Sequence, residues 1–303
     1  MTKVWMWPQN PINSKTVVND LRTLEEIELY FSQLYAPFKV VYFARARIAL
    51  TAISAVAGLS RPKLTFVQPF SSHCVLSAIA HLSTPTTITP EHTDAQVIYH
   101  QWGHKTIANT RLFNAPLVED AVDSLITSNR KEELFPNNAP FCIVSLPKVC
   151  QAAIGSIVIC QNDSDFEALR EQREQMHTRL TQDKALTYLD EPPLTESVLQ
   201  AVPTLVPVLP SDIKSEFEQA IANVRANLAI IKDIYAFLDV VFATEDRLPA
   251  NIVVKTSQCS EQELYSPAPF EVIEKQRTYF DYQSLQCEKV WLLPSHCQAN
   301  WSK

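Results

Sequence analysis

FCIVSLPKVCQAAIGSIVIC, residues 141–160, sets two apolar runs on either side of a single lysine, Lys148, with a small-residue segment containing Gly155 behind it. The local reading is two strands joined by a charged turn. A lysine held between buried strands has its amine desolvated, which lowers its pKa and makes it a nucleophile toward carbonyl compounds. The same residues also read as a hairpin whose turn lysine is simply solvated, and this stretch alone leaves both readings open.

Upstream, PLVEDAVDSL at residues 116–125 reads as a short apolar strand that ends in two carboxylates, Glu119 and Asp120, and runs into a helix-like pattern. An acid at the carboxyl end of a strand can point into a cleft. A strand-end aspartate and a downstream lysine in an α/β chain are the pair that pyridoxal phosphate requires, the lysine for the Schiff base and the aspartate to keep the pyridine nitrogen protonated.

Here the residues resemble the DegT-type nucleotide-sugar aminotransferases. In that family a strand ending Glu-Asp-Ala carries the pyridine-binding aspartate, and a Ser…Lys segment followed by Gly-Gly carries the Schiff-base lysine. Glu119-Asp120-Ala121 and Ser145…Lys148…Gly155-Ser156 stand in the matching places. The resemblance implies the fold of aspartate aminotransferase, a three-layer α/β/α large domain with a mainly parallel sheet, plus a small α+β C-terminal domain. It also implies pyridoxal 5'-phosphate as cofactor, a keto sugar nucleotide as substrate in surface polysaccharide biosynthesis, an amino donor such as glutamate, and a homodimer.

Bulk properties agree with a protein of this kind. The 303 residues suffice for one large domain or a large and a small one, and 46% hydrophobic residues can build a core. A net charge of −7 gives no electrostatic reason to expect nucleic acid or an anionic membrane as partner. Seven cysteines without a close Cys-x-x-Cys pair fit reduced thiols and a cytoplasmic setting. No apolar run approaches the roughly 20 residues of a membrane span.

Only three glycines occur, where a chain of this length holds about 20. Gly58 follows a helical apolar pattern over residues 48–56, Gly103 closes His100-Gln101-Trp102-Gly103 just after a strand at 95–100, and Gly155 follows the lysine. Each falls where the family pattern has a glycine.

Taken in order, residues 17–35 carry apolar positions at helical spacing and read as two short amphipathic helices. Residues 38–43, FKVVYF, read as a strand leading through Ala44-Arg45-Ala46-Arg47 into a helix. A helix start after a strand is a phosphate site. The family has Gly-Thr there; Ala46 still permits fairly close backbone approach and Arg47 can add a charge-assisted contact, although both arginines also read as surface charges. After the strand at 64–70, His73 lies four residues beyond Pro69, where the family places an aromatic ring, so the resemblance makes it a ring that stacks on the pyridine; alone it reads as a hydrogen-bonded structural histidine. Residues 83–94 read as a surface loop. Strands alternating with helices imply parallel βαβ units with ligands at the carboxyl ends of the strands, which is where Ala46, Arg47, His73, Asp120, Ser145 and Lys148 all fall.

The resemblance is strong over residues 40–173 and looser elsewhere. The proline-rich stretch 182–210 lacks the Asn-x-Arg element that in the family reaches the neighbouring subunit's cofactor site. Residues 211–238 give the longest helical pattern, with Ser211 or Asp212 as N-cap, and the reading places the large domain at 1–210 and the small one at 211–303. Leu293-Pro294-Ser295-His296 resembles the family's terminal Leu-Pro-x-His. Between serine and lysine the chain is two residues shorter than the family, and Asp123 stands where the family has glutamine or histidine. Either Asp123 points away from the ring or it perturbs the lysine's linkage to the cofactor. The resemblance leaves two readings, an aminotransferase and a relative that keeps the fold for binding or assembly. An α/β hydrolase-like or nucleotide-binding domain finds no Gly-x-Ser-x-Gly or P-loop sequence in its support.

Overall fold

The computed structural model describes residues 7–8, 17–18, 21–87, 92–108, 116–150, 152, 155–182, 206–207, 213–238, 245–280 and 284–302. The N-cap expected at Ser211 or Asp212 lies outside them. A two-stranded ribbon, β1 (Val17–Val18) and β10 (Val206–Pro207), stands apart from the main sheet.

The main sheet takes shape from α1 (Leu21–Leu34), β2 (Lys39–Phe43), α2 (Ala46–Val56), β3 (Leu64–Val67), α3 (His73–Ala80), β4 (Thr84–Thr86), β5 (Ala95–Tyr99), β6 (Val118–Asp120), β7 (Ser124–Ile126), α4 (Lys131–Leu134), β8 (Phe141–Ser145), α5 (Leu146–Val149), β9 (Ser156–Cys160) and α6 (Asp163–Gln182). Its seven strands run in the order β2-β9-β8-β6-β5-β3-β4. β8, β6, β5, β3 and β4 pair in parallel, and β9 runs against both its neighbours.

Alternation along the strands explains why helices cover both faces. Val40 and Tyr42 join Ile27, Phe31 and Phe217 in one core, whereas Val41 and Phe43 join Ile48, Ile53 and Leu169 in the other. The fold is therefore the expected α/β class with three layers. Several details differ from the expectation. Where the spacing predicts two helices over residues 17–35, the structure has β1 at 17–18 and the single helix α1 over 21–34, because the apolar positions of 21–34 stay on one face throughout. The supposed loop at 83–94 contributes β4, an edge strand beside β3. Lys148 sits in the one-turn helix α5, which Pro147 in its first turn favours.

α7 (Ile213–Ile234), β11 (Arg247–Pro249), β12 (Asn251–Lys255), β13 (Ile273–Phe280) and β14 (Leu285–Pro294) complete the chain. β12, β14 and β13 form an antiparallel sheet in which β13, polar along most of its length, carried no apolar signal. β11 instead pairs with β7 of the first half. The Ala250 amide donates to the Asp123 carbonyl at 2.9 Å, and a Cβ on Gly103, at φ +102°, would lie 2.4 Å from Pro249 Cα and 2.5 Å from that same carbonyl oxygen. Only glycine permits this approach. The C-terminal sheet is thereby fastened directly to the loop that carries Asp123.

Candidate functional site

A cavity opens at the carboxyl ends of β5, β6 and β8, under the first turns of α2 and α3. Ala46, Arg47, Asp120, Ser145 and Lys148 line it together. His73 does not: it is exposed in the first turn of α3, while its neighbours Ser72 and Cys74 line the cavity. The register taken from Pro69 therefore misplaces the ring, since successive residues of a helix point about 100° apart.

Glu119 and Asp120, read together as a strand-end pair, face opposite sides of the sheet. The His100 Nδ1 accepts from the Thr106 amide at 2.9 Å, so its Nε2–H donates to Glu119 at 3.0 Å. Glu119 also accepts from the amide and side chain of Asn137 at 2.8 and 2.9 Å. Its role is to satisfy a buried junction. Asp120 points into the cavity, where the Val122 amide donates to it at 3.3 Å. Burial and then the charge of Asp123 push the Asp120 carboxyl up to about 7, against the pull of Lys148. A positively charged N–H group beside it would restore the ionised form.

Lys148 Nζ donates to Asp123 Oδ1 at 2.8 Å, and the Tyr99 hydroxyl donates to the other Asp123 oxygen. Asp123 therefore faces the lysine amine. Its carboxylate is fully buried, whereas the lysine side chain is 29% exposed. The amine's pKa runs opposite to the expectation from sequence: burial would lower it, but the charge of Asp123, its hydrogen bond and the charge of Asp120 outweigh burial and raise it. The indole of Trp7 covers the amine from another side, its centroid 4.4 Å from Nζ.

The sequence pattern marks neither Tyr99 nor Trp7 as a site residue. Tyr99 was within reach, because it ends β5 directly beside Asp120. Trp7 has no periodic neighbours that would have marked it.

The buried titratable groups make acid stability a test of this geometry. Burial lowers His100 and His104 to about 4 and His296 to about 3, with the Arg247 and Arg277 charges helping at the first two. Each stabilises the fold above about pH 6.5, the ordinary histidine value. That contribution is lost as pH falls, because the unfolded chain takes up protons the folded one refuses. Asp120, raised to about 7, acts with opposite sign between that value and its unfolded value near about 3.9. Burial raises the Glu28 carboxyl as well, so it acts with Asp120; three protons against these two leave a net uptake of about one to two on unfolding near pH 5, or roughly 1 to 3 kcal/mol of stability per pH unit. Urea unfolding at pH 6.0 and 5.0 checks this, and equal stabilities at the two values would contradict it.

A parallel-rich sheet, with a lysine and a buried aspartate at strand ends and a helix N-terminus closing the cavity, defines the fold class of the pyridoxal-phosphate-dependent transferases. The family model described as "Putative PLP-dependent aminotransferase" matches residues 27–297, and the chain belongs to that family. Among solved structures it is similar to DesI in the presence of its TDP-sugar product, at 15% identity and a TM-score of 0.60, covering 100% of this chain and 90% of that one. It is similar also to DesV of S. venezuelae in complex with a ketimine intermediate, at 14% identity and TM-score 0.55, covering 95% of this chain and 87% of that one. A third is "Putative sugar aminotransferase Spr1654" from Streptococcus pneumoniae in its PMP form, at 14% identity and TM-score 0.60, covering 97% and 93%. No curated protein matches.

The cofactor of this family is pyridoxal 5'-phosphate, and the residues present fit it. Lys148 offers an amine for its aldehyde. Asp120 is a buried acid that accepts from the Val122 amide, with the charge of Lys148 pulling its carboxyl down, and Arg47 sets a guanidinium at the positive end of α2.

Proposed function

We propose that the protein is an active aminotransferase that moves an amino group from a donor such as glutamate to a keto sugar nucleotide in surface polysaccharide biosynthesis. The observation that carries the reading is the meeting of Lys148, Asp120 and Arg47 on one cavity at the strand ends. When bound, the cofactor would supply an electron sink for the donor carbon that loses its proton. Asp120 holds a proton on the ring nitrogen. Arg47, the first turn of α2 and the Ser145 hydroxyl, which line the cavity together, would hold the phosphate, and Ala46 would keep the backbone approach open. Lys148 Nζ would form the covalent link and, once released from it, would carry the proton between the two carbons on either side of the transferred nitrogen.

The sugar-nucleotide assignment draws its support from the solved structures, among which DesI is described with a TDP-sugar product and Spr1654 as a sugar aminotransferase. The reading includes a homodimer and a cytoplasmic setting. It keeps the division between residues 210 and 211, with the C-terminal antiparallel sheet and α7 in the smaller unit. No helix among the described residues is long and apolar enough to cross a membrane.

One observation favours the second reading, a degenerate member with a binding or assembly role: the Asp123 carboxylate occupies Lys148 where the family has glutamine or histidine. The two are separated by a half-reaction. The loaded protein is mixed with glutamate, and conversion of the cofactor to its amine form is followed by absorbance, after which a keto sugar nucleotide is added. Conversion and its reversal by the sugar establish the enzyme. No conversion with any common amino donor establishes the scaffold.

A further inference from the structure

We propose that Asp123 and Trp7 form a clamp that keeps the Lys148 nitrogen positively charged, both as the free amine and when that nitrogen is double-bonded to a former aldehyde carbon as an imine. They are positioning residues. The second half rests on the reading of Lys148 as the Schiff-base lysine; the first does not.

Two kinds of group that favour a cation meet at Nζ, a carboxylate oxygen at 2.8 Å and an aromatic face whose centroid is 4.4 Å away. Neither is free to drift. Asp123 is fully buried, its second oxygen accepts from Tyr99, and its carbonyl accepts from Ala250 across the glycine-lined contact with Pro249. Trp7 packs on the cluster of Trp102, Val253, Val290 and Leu292, so the C-terminal sheet supports both halves of the clamp. The other titratable groups facing the amine are Asp120 from β6, Cys74 from α3 and Tyr99 from β5, with Arg47 from α2 on the same cavity. Two carboxylates and an indole face therefore oppose one guanidinium. The upward displacement of the lysine's pKa agrees with this balance.

The chemistry follows from charge conservation. Condensation of the ammonium with an aldehyde forms a carbon–nitrogen double bond, expels one water and leaves the positive charge on nitrogen. A site that has already fixed a counter-ion there keeps the imine protonated, the form most open to attack by an incoming amine. The cost is slow loading at neutral pH, since only the uncharged amine attacks the aldehyde.

The test uses the full cofactor-free chain. Brief pulses of formaldehyde with a borane reductant across a pH series methylate uncharged amines, and peptide mass spectrometry reads Lys148 against the exposed lysines. Wild type is expected to show a Lys148 midpoint above the ordinary lysine value of about 10.4. Asp123→Asn is expected to lower it by about 1 to 3 pH units, and Trp7→Leu by about half a unit. A wild-type midpoint at or below that of the exposed lysines overturns the proposal, as does an unmoved midpoint in an Asp123→Asn chain with the wild-type circular dichroism. If Asp123→Asn fails to fold, the wild-type and Trp7→Leu midpoints decide. In the loaded protein, the visible band of wild type should hold its position on raising pH while that of Asp123→Asn shifts. Attachment of the cofactor at another lysine would reject the Schiff-base reading, and the clamp would then stand or fall on the midpoints of the free protein.

Discussion

Lys148→Ala is expected to abolish covalent retention of pyridoxal phosphate and to reduce transamination by at least about a hundredfold to ten-thousandfold, the usual worth of a positioned acid–base group alone. The covalent step adds to this loss. The substitution also strips Asp123 of its cation. Asp123 is fully buried, and leaving one partner of a buried pair alone commonly costs about 3 to 5 kcal/mol. The variant should therefore melt at lower temperature than wild type. Gel filtration with cofactor absorbance, and thermal unfolding, measure the two effects. Retention of a covalent adduct by the alanine variant would show that a different amine holds the cofactor.

Asp120→Asn is expected to keep the fold and the covalent link while losing at least about a hundredfold in the half-reaction. An asparagine cannot supply the charge that holds the ring nitrogen protonated. Removing one member of a buried charge pair costs about 3 to 5 kcal/mol, and about 1.4 kcal/mol is tenfold in rate. The stability of the cofactor-free chain should hold or rise, because Asp120 is buried beside Asp123 and its ionised form is disfavoured by both burial and that neighbour. A structural aspartate would behave the other way round, with stability lost and rate retained. The pair of measurements, stopped-flow half-reaction and urea midpoint, therefore separates the two roles.

Much of this site is readable in the chain because strand ends are readable. The runs at 39–43, 118–120 and 141–145 end in Ala44-Arg45, Asp120 and Ser145, and a mainly parallel sheet brings such ends to one edge. Three glycines in 303 residues make each surviving one conspicuous, and Gly103 is required by the contact with Pro249 and Asp123. What remained hidden depends on contacts between distant segments. Lys148 looks nucleophilic when only its burial is considered, and the Asp123 carboxylate reverses that sign through a contact 25 residues away in sequence. Trp7 reaches the site from outside any periodic element. β13 alternates polar residues at an edge of the small sheet, where little apolar burial is needed, so its pattern carries no strand signal. His73 shows the limit of counting along a motif, since one residue of slip at a helix start turns a side chain from cavity to solvent.

Central to the proposed chemistry is the assignment of Lys148 as the residue that would hold the cofactor. Incubation of the chain with excess pyridoxal phosphate, reduction with borohydride and peptide mass mapping tests this directly. A single reduced adduct on Lys148, absent from Lys148→Ala, is the predicted result. An adduct on another lysine, or none, would contradict it.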